Sequence, residues 1–292
     1  MEKTPKNRAR RTYRRLDLAR AYLRSSYKAY TGKETFEDVE TYCMFVGYPK
    51  SGHSLVGSLL DAHPNVVIGH ELDALKYVQA GFSKKQIYQL LLENSRKHAE
   101  SGREWNTYSY EVPGQWQGRF DKLRVIGDKK GGMSTLRLDS NPELLQRLRD
   151  TVGVSVKLVC VVRNPYDNIS TRYRDGIKNR YKKADNLDLS YSVENYFFRS
   201  AALRNLKEQI SSADVFEVRH ESFVEDPARH LGGLCRFLGL EYSDGYLKDC
   251  ASIIFKSPSK SRHKVDWDPE TIRIVQSRMD EFDFLRGYSY ED

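Results

Sequence analysis

The stretch Thr41-Tyr42-Cys43-Met44-Phe45-Val46-Gly47-Tyr48-Pro49-Lys50-Ser51-Gly52-His53-Ser54 decides the fold of this chain. Tyr42 to Val46 is an unbroken apolar run of strand length, Gly and Pro punctuate residues 47–52, and from Ser54 to Leu60 apolar residues return at helical spacing. The order is strand, turn, helix. A glycine-bearing turn in that setting points successive backbone N–H groups at one spot, with the positive end of the helix dipole behind them. It is a cradle for phosphate. The spacing Gly47-x-x-x-x-Gly52-His53-Ser54 is that of a nucleoside-triphosphate loop, yet the lysine such loops carry after the second glycine is replaced by His53. The cation, Lys50, stands inside the turn instead.

The alternation continues on the C-terminal side. Short apolar runs predict strands over 65–68, 123–126, 154–162 and 215–218, and helical periodicity covers 84–98, 134–149, 193–209 and 227–238. Such a sequence predicts a P-loop-like three-layer α/β/α fold with a mainly parallel central sheet, whose ligand crevice lies at the carboxyl ends of the strands. Residues 101–120 break the periodicity and hold Trp105, Tyr108, Tyr110 and Trp116 among Gly, Ser and Asn, which predicts an irregular insert of the kind that forms lids. We read residues 1–40 as a basic helical arm packing against the rest, and 41–292 as a single domain.

A chain of 292 residues with 39% hydrophobic and 12% aromatic residues has enough apolar surface for a core. Its mean hydropathy of −0.68 argues against a membrane span, and the charged start carries no export signal. Cys43, Cys160, Cys235 and Cys250 show no metal-like spacing and read as buried thiols, which predicts a cytoplasmic protein. A lumenal chain trimmed of a membrane anchor would read the same. The net charge of +8 suits nucleic acid, an acidic membrane or a phosphorylated ligand.

A second anchor follows the strand predicted over 154–162. Arg163 stands at its end and Thr171 eight residues on, with Ser170 beside it. A planar guanidinium fork and a neutral hydroxyl donor together suit a phosphate monoester.

These residues also carry a resemblance. Tyr48-Pro49-Lys50-Ser51-Gly52 resembles the 5′-phosphosulfate loop of the sulfotransferase superfamily, whose donor is 3′-phosphoadenosine 5′-phosphosulfate (PAPS) and whose product is 3′-phosphoadenosine 5′-phosphate (PAP). The resemblance implies donor contacts from Lys50, Ser51, Gly52 and Ser54 without a metal, with Lys50 also stabilising the leaving group, and His53, which departs from the usual hydroxyl residue, as a further donor contact through its imidazole or its backbone N–H. Arg163 with Thr171 or Ser170 resembles the 3′-phosphate motif. The basic segment from Lys256 to Trp267 stands where the family has a loop closing over that phosphate, making Lys260, Arg262 and Lys264 candidates. The run from Leu60 to Glu71 resembles tyrosylprotein and related carbohydrate sulfotransferases, implying Glu71 as base, with the adjacent His70 as the alternative. Gly127-Asp128-Lys129-Lys130 resembles the segment beside the transferring sulfonyl, implying Lys129, or failing it Lys130, as charge stabiliser. His63 reads as structural.

The expected reaction is sulfonate transfer from PAPS to a hydroxyl on an unidentified small molecule, sugar or peptide. Aromatic residues in the insert and between Tyr173 and Tyr196 are candidates to hold that acceptor. A P-loop kinase is the rival, because Val125-Ile126-Gly127-Asp128 also looks like a magnesium-binding strand end. A non-enzymatic polyanion binder would use the basic start but explains neither ordered motif, so no nucleic-acid partner is expected. Membrane contact by the arm is the less favoured of its two roles.

Overall fold

Both faces of the central strands are apolar because both are covered. In the strand Thr41–Gly47 (β1), Tyr42, Met44 and Val46 face one core and Cys43 and Phe45 the other, so a period of two feeds two layers. The computed structural model describes residues 5–32, 36–105, 108–178 and 188–292. Among these, the further strands are Val66–His70 (β2), Glu104–Trp105 (β3), Tyr108–Ser109 (β4), Val125–Lys129 (β5), Ser155–Val162 (β6) and Val215–Arg219 (β7). The sheet runs β2-β5-β1-β6-β7, parallel throughout.

The helices are Pro5–Thr31 (α1), His53–Asp61 (α2), Ala74–Gln79 (α3), Lys84–Glu100 (α4), Gly132–Ser140 (α5), Glu143–Val152 (α6), Pro165–Lys178 (α7) and Leu189–Glu208 (α8). The short His220–Glu225 (α9) is followed by Pro227–Phe237 (α10), Asp244–Ser252 (α11) and Pro269–Met279 (α12). The three-layer architecture is the one the alternation predicts. One expectation is corrected: residues 134–149 form two helices, α5 and α6. Asn141 precedes Pro142 and takes φ −148° and ψ 83°, because the proline ring drives the residue before it out of the helical region.

The sheet order places the crevice. β1 lies between β5 and β6, and the chain leaves it toward one side through α2 and β2 before returning to the other through β6. Register aligns the strand ends, with His70 beside Lys129 and Gly47 beside Val161. Residues just past these ends therefore share one opening.

The insert of residues 101–120 contains the small β3–β4 hairpin and is pinned from below by a buried ion pair. Asp61, at the end of α2, receives hydrogen bonds from Ser95 Oγ (2.9 Å), Ile68 N (2.5 Å), Gly118 N (3.1 Å) and the Arg103 guanidinium. Both charged side chains are buried. Arg103→Ala removes one partner and leaves the other charge dry, so we expect a loss of about 3–5 kcal/mol in urea unfolding. A change below about 1 kcal/mol would show that the hub does not hold the insert.

α1 lies along α4. Tyr22 packs edge-on against Phe82 at 5.1 Å, Gln86 donates to Ser26 Oγ at 2.8 Å, and Lys28 and Arg24 pair with Glu93 at 2.8 and 3.2 Å. All four cysteines are buried and free. Burial pushes the Cys160, Cys235 and Cys250 thiols up to about 12.

Candidate functional site

The turn after β1 keeps its shape through strain and close contact. Lys50 adopts φ +72°, a left-handed conformation that costs a non-glycine residue about 1–3 kcal/mol. Gly52 sits at φ +101°, and a Cβ there would fall 2.5 Å from His220 Nδ1. The turn feeds α2, whose first residues, with Gly52, line a cleft of about 780 Å³. Lys50, Gly52, Ser54, Glu71, Lys129, Lys130, Arg163 and Thr171 all line that cleft. One opening thus gathers residues from four different strand ends.

At the β5 side, Lys129 is fully buried and its Nζ donates to Ser54 Oγ at 3.0 Å and to Glu71 Oε1 at 2.9 Å. Lys130 Nζ pairs with the other Glu71 oxygen at 2.5 Å. Burial pushes the Glu71 carboxyl up, but the charge of Lys129 and the hydrogen bonds from both lysines outweigh it and leave the pKa below the usual carboxylate value. Glu71 is therefore ionised at neutral pH. Desolvation wins for Lys129 despite the attraction of Glu71, and its pKa lies below the usual lysine value.

At the β6 side, Arg163 is buried with its Nη1 3.3 Å from the Lys50 carbonyl and 3.4 Å from Thr171 Oγ1. Its Nη2 donates to the Ser259 carbonyl at 2.6 Å, and its Nε has no hydrogen-bond partner among the described residues. The two motifs, separated by 113 positions in the chain, are in direct contact. Lys50 Nζ reaches across to Asp175 on α7 at 2.6 Å.

Several predicted side chains are turned elsewhere. His53 lines the cleft but buries its ring beneath the turn, where Nε2 donates to the Val46 carbonyl at 2.9 Å. Burial lowers its pKa to about 4, so it is a neutral brace for β1. Ser51 is buried and accepts from Asn168 Nδ2 at 2.9 Å. Ser170 is likewise buried, accepting from Trp267 Nε1 at 2.9 Å, while Thr171 faces the opening. His70 lies outside the lining, stacked on His98 at 3.9 Å, and burial with the nearby Lys129 charge lowers its pKa to about 2. His63 braces the core by bonding the Glu241 carbonyl at 2.7 Å, the structural role expected of it.

The basic C-terminal loop turns its three candidate cations away from the cleft. Arg262 is buried, its backbone N–H donating to Asp167 Oδ1 at 2.9 Å and its guanidinium holding the carbonyls of Ser289 and Asp292. Lys260 and Lys264 are exposed and outside the lining. The lysines follow the solvent because nothing compensates their desolvation, and Arg262 is spent on locking the loop. What faces the cleft is Ser257, Pro258 and Ser259.

Among the lining residues that sequence reading missed, three bear on the site's chemistry. Arg199 reaches from α8, donating to the Gly132 carbonyl at 3.4 Å with its guanidinium 5.8 Å from the Tyr48 ring. Phe255 packs at 4.9 Å on Tyr108, which with Tyr110 turns the insert into an aromatic wall. His220 follows β7; burial and the Arg163 charge lower its pKa to about 3, and its Nδ1 has no hydrogen-bond partner among the described residues. Its place at a strand's carboxyl end was a usable signal. Part of the segment between Tyr173 and Tyr196 lies outside the described residues.

Comparison with known proteins agrees with this fold. No curated protein sequence matches. The sulfotransferase domain from the curacin biosynthetic pathway superposes over 85% of this chain and 99% of its own, with 14% identity and a TM-score of 0.51. Sulfotransferase STF9 from Mycobacterium avium superposes over 92% and 82%, with 11% identity and a TM-score of 0.50. At such identities the likeness speaks to fold. A sequence match to the sulfotransferase family covers residues 44–244, from β1 through both phosphate motifs and beyond β7. The chain belongs to the sulfotransferase family.

Proposed function

We propose that the sulfonate donor of this enzyme is PAPS, held between the β1 turn and Arg163, and that Glu71 is the base for an acceptor hydroxyl. The observation that carries the reading is the contact between Arg163 and the Lys50 carbonyl at 3.3 Å, which joins two cationic anion sites in one cleft. A doubly phosphorylated nucleotide needs two such sites. Arg163 Nε and His220 Nδ1 are buried polar atoms without partners among the described residues, and both side chains line the cleft. An anionic ligand rich in hydrogen-bonding groups would satisfy such atoms.

In this assignment the amides at the start of α2, Lys50 and Ser54 hold the 5′ end, and Arg163 and Thr171 hold the 3′-phosphate. The donor supplies an activated sulfonate on a phosphate leaving group. Glu71 takes the acceptor proton, and Lys129, fixed between Ser54 and Glu71, neutralises charge that develops on the leaving oxygen. Drawing Lys129 toward that charge weakens its hold on Glu71 and makes the carboxylate a better base. The strand-end position of Glu71 supports a likeness to the tyrosylprotein and carbohydrate branch. Against a kinase, Asp128 is buried away from the cleft and accepts from Leu72 N and Ala74 N at 3.2 and 2.7 Å, so it is a brace for α3.

The paired shifts predict a pH profile. Glu71 works ionised, so kcat/KM falls only as pH drops through its depressed pKa, below the usual carboxylate value. Lys129 works charged, so the alkaline limb appears as pH rises through a value below the usual lysine one. A broad plateau spanning neutral pH is expected in initial-rate measurements. An acid limb centred near 6.5, the ordinary histidine value, would contradict it.

A further inference from the structure

α1 has two apolar faces, and α4 covers one. Leu18, Ala21, Tyr22 and Ser25 turn toward the domain, with Ser25 fully buried. Leu16, Ala19, Leu23, Tyr27 and Tyr30 recur at three- and four-residue steps along the opposite side, and all five are exposed. Leu23 and Tyr27 are 70% accessible and Tyr30 is 91% accessible. A row of large apolar side chains on a helix already docked through its other face has no folding role, and its desolvation is available to a partner.

Charge selects that partner. The 27 residues of α1 carry nine Lys or Arg and one Asp, so this helix alone matches the net charge of the whole chain, +8. A second copy would set two such helices side by side with only Asp17 on each to pair against nine cations, which disfavours a coiled coil. A dissolved polyanion would neutralise the arginines yet leave the leucine and tyrosine row in water. A bilayer bearing acidic headgroups meets both requirements at once, with apolar side chains at the acyl boundary and cations among the headgroups. No described helix is long and apolar enough to cross a membrane, so the helix would lie in the interface plane.

We propose that α1 is a surface anchor that seats this sulfotransferase on anionic membranes. The inference is independent of the donor assignment. It is tested by floating the full chain with vesicles of phosphatidylcholine alone and of phosphatidylcholine with phosphatidylserine. Binding is expected to the mixed vesicles alone, to weaken with salt, and to fall at least about tenfold in the Leu23→Glu/Tyr27→Glu variant. Both residues are exposed, and unchanged thermal unfolding would show that the variant is folded. Absence of binding to the acidic vesicles overturns the proposal. So does binding that the double substitution leaves intact, which would reveal a surface held by charge alone. A dimer in sedimentation velocity that the same variant dissociates, without vesicle binding, would assign the stripe to a second copy.

Discussion

Replacing Glu71 by glutamine is expected to lower turnover at least about a hundredfold while leaving donor affinity nearly unchanged, as loss of a general base should. The carboxylate lines the cleft, is ionised at neutral pH, and sits one residue beyond β2 in a left-handed conformation, φ +59°. That strain orients one side chain toward Lys129 and Lys130. Glutamine keeps the size and removes the proton acceptor. It also removes the counter-charge of a buried lysine, so a second measurement separates the two effects. With a more acidic acceptor hydroxyl, less help is needed to remove the proton, and the deficit of Glu71→Gln should shrink. A deficit that is constant across acceptors of different acidity would make Glu71 a positioning residue for Lys129. Wild-type turnover in the variant would remove it from the chemistry altogether.

The second large effect belongs to Arg163. Arg163→Ala is expected to weaken PAP by about 2–5 kcal/mol, thirtyfold or more, because a buried charged partner is lost. The arginine also holds the Lys50 and Ser259 carbonyls, so truncation could loosen the cleft as a whole. Adenosine 5′-phosphate, which lacks the 3′-phosphate, provides the control. If Arg163 reads the 3′-phosphate, the variant loses PAP affinity and binds the monophosphate as before, and the difference is the coupling energy. Equal losses for both ligands would make the role structural.

The layers of the fold were legible because the strands are buried on both faces and read as continuous apolar runs, as in Tyr42 to Val46 and Leu158 to Val162. The break at Asn141-Pro142 was legible too, had the proline rule been given weight over periodicity. In the site, residue type and position after a strand pointed to Lys50 and Arg163, and the resemblance to sulfotransferase motifs pointed to Glu71 and Lys129; all four line the cleft. The same rule applied to β7 points to His220. What the linear chain hid was side-chain direction. Ser170 and Thr171 are neighbours on α7, yet helix geometry turns one into the core and the other into the cleft. Arg262 looks like a phosphate ligand by charge and is instead closed onto Asp167 and the chain's last residues. Arg199 comes from a helix with no motif, and its approach depends on how α8 packs on α5, a long-range contact that spacing does not encode.

His53 illustrates the same limit at the centre of the phosphate turn. By position in the sequence it was expected among the donor's contacts. Its ring instead fills the space under Gly47 and Gly131 and bonds the end of β1. The turn thus has a structural histidine, and beside it Lys129 Nζ donates to Ser54 Oγ at 3.0 Å.

The central claim is that one cleft binds a 3′,5′-bisphosphorylated nucleotide through Lys50 and Arg163 without a metal. Isothermal titration of the full chain with PAP in the presence of a chelator, and separately with ATP and magnesium, tests it directly. We expect PAP to bind with a Kd of about 1–10 μM, near −7 to −8 kcal/mol, and magnesium ATP to bind far more weakly. Binding of magnesium ATP alone, with no heat from PAP, would contradict the assignment.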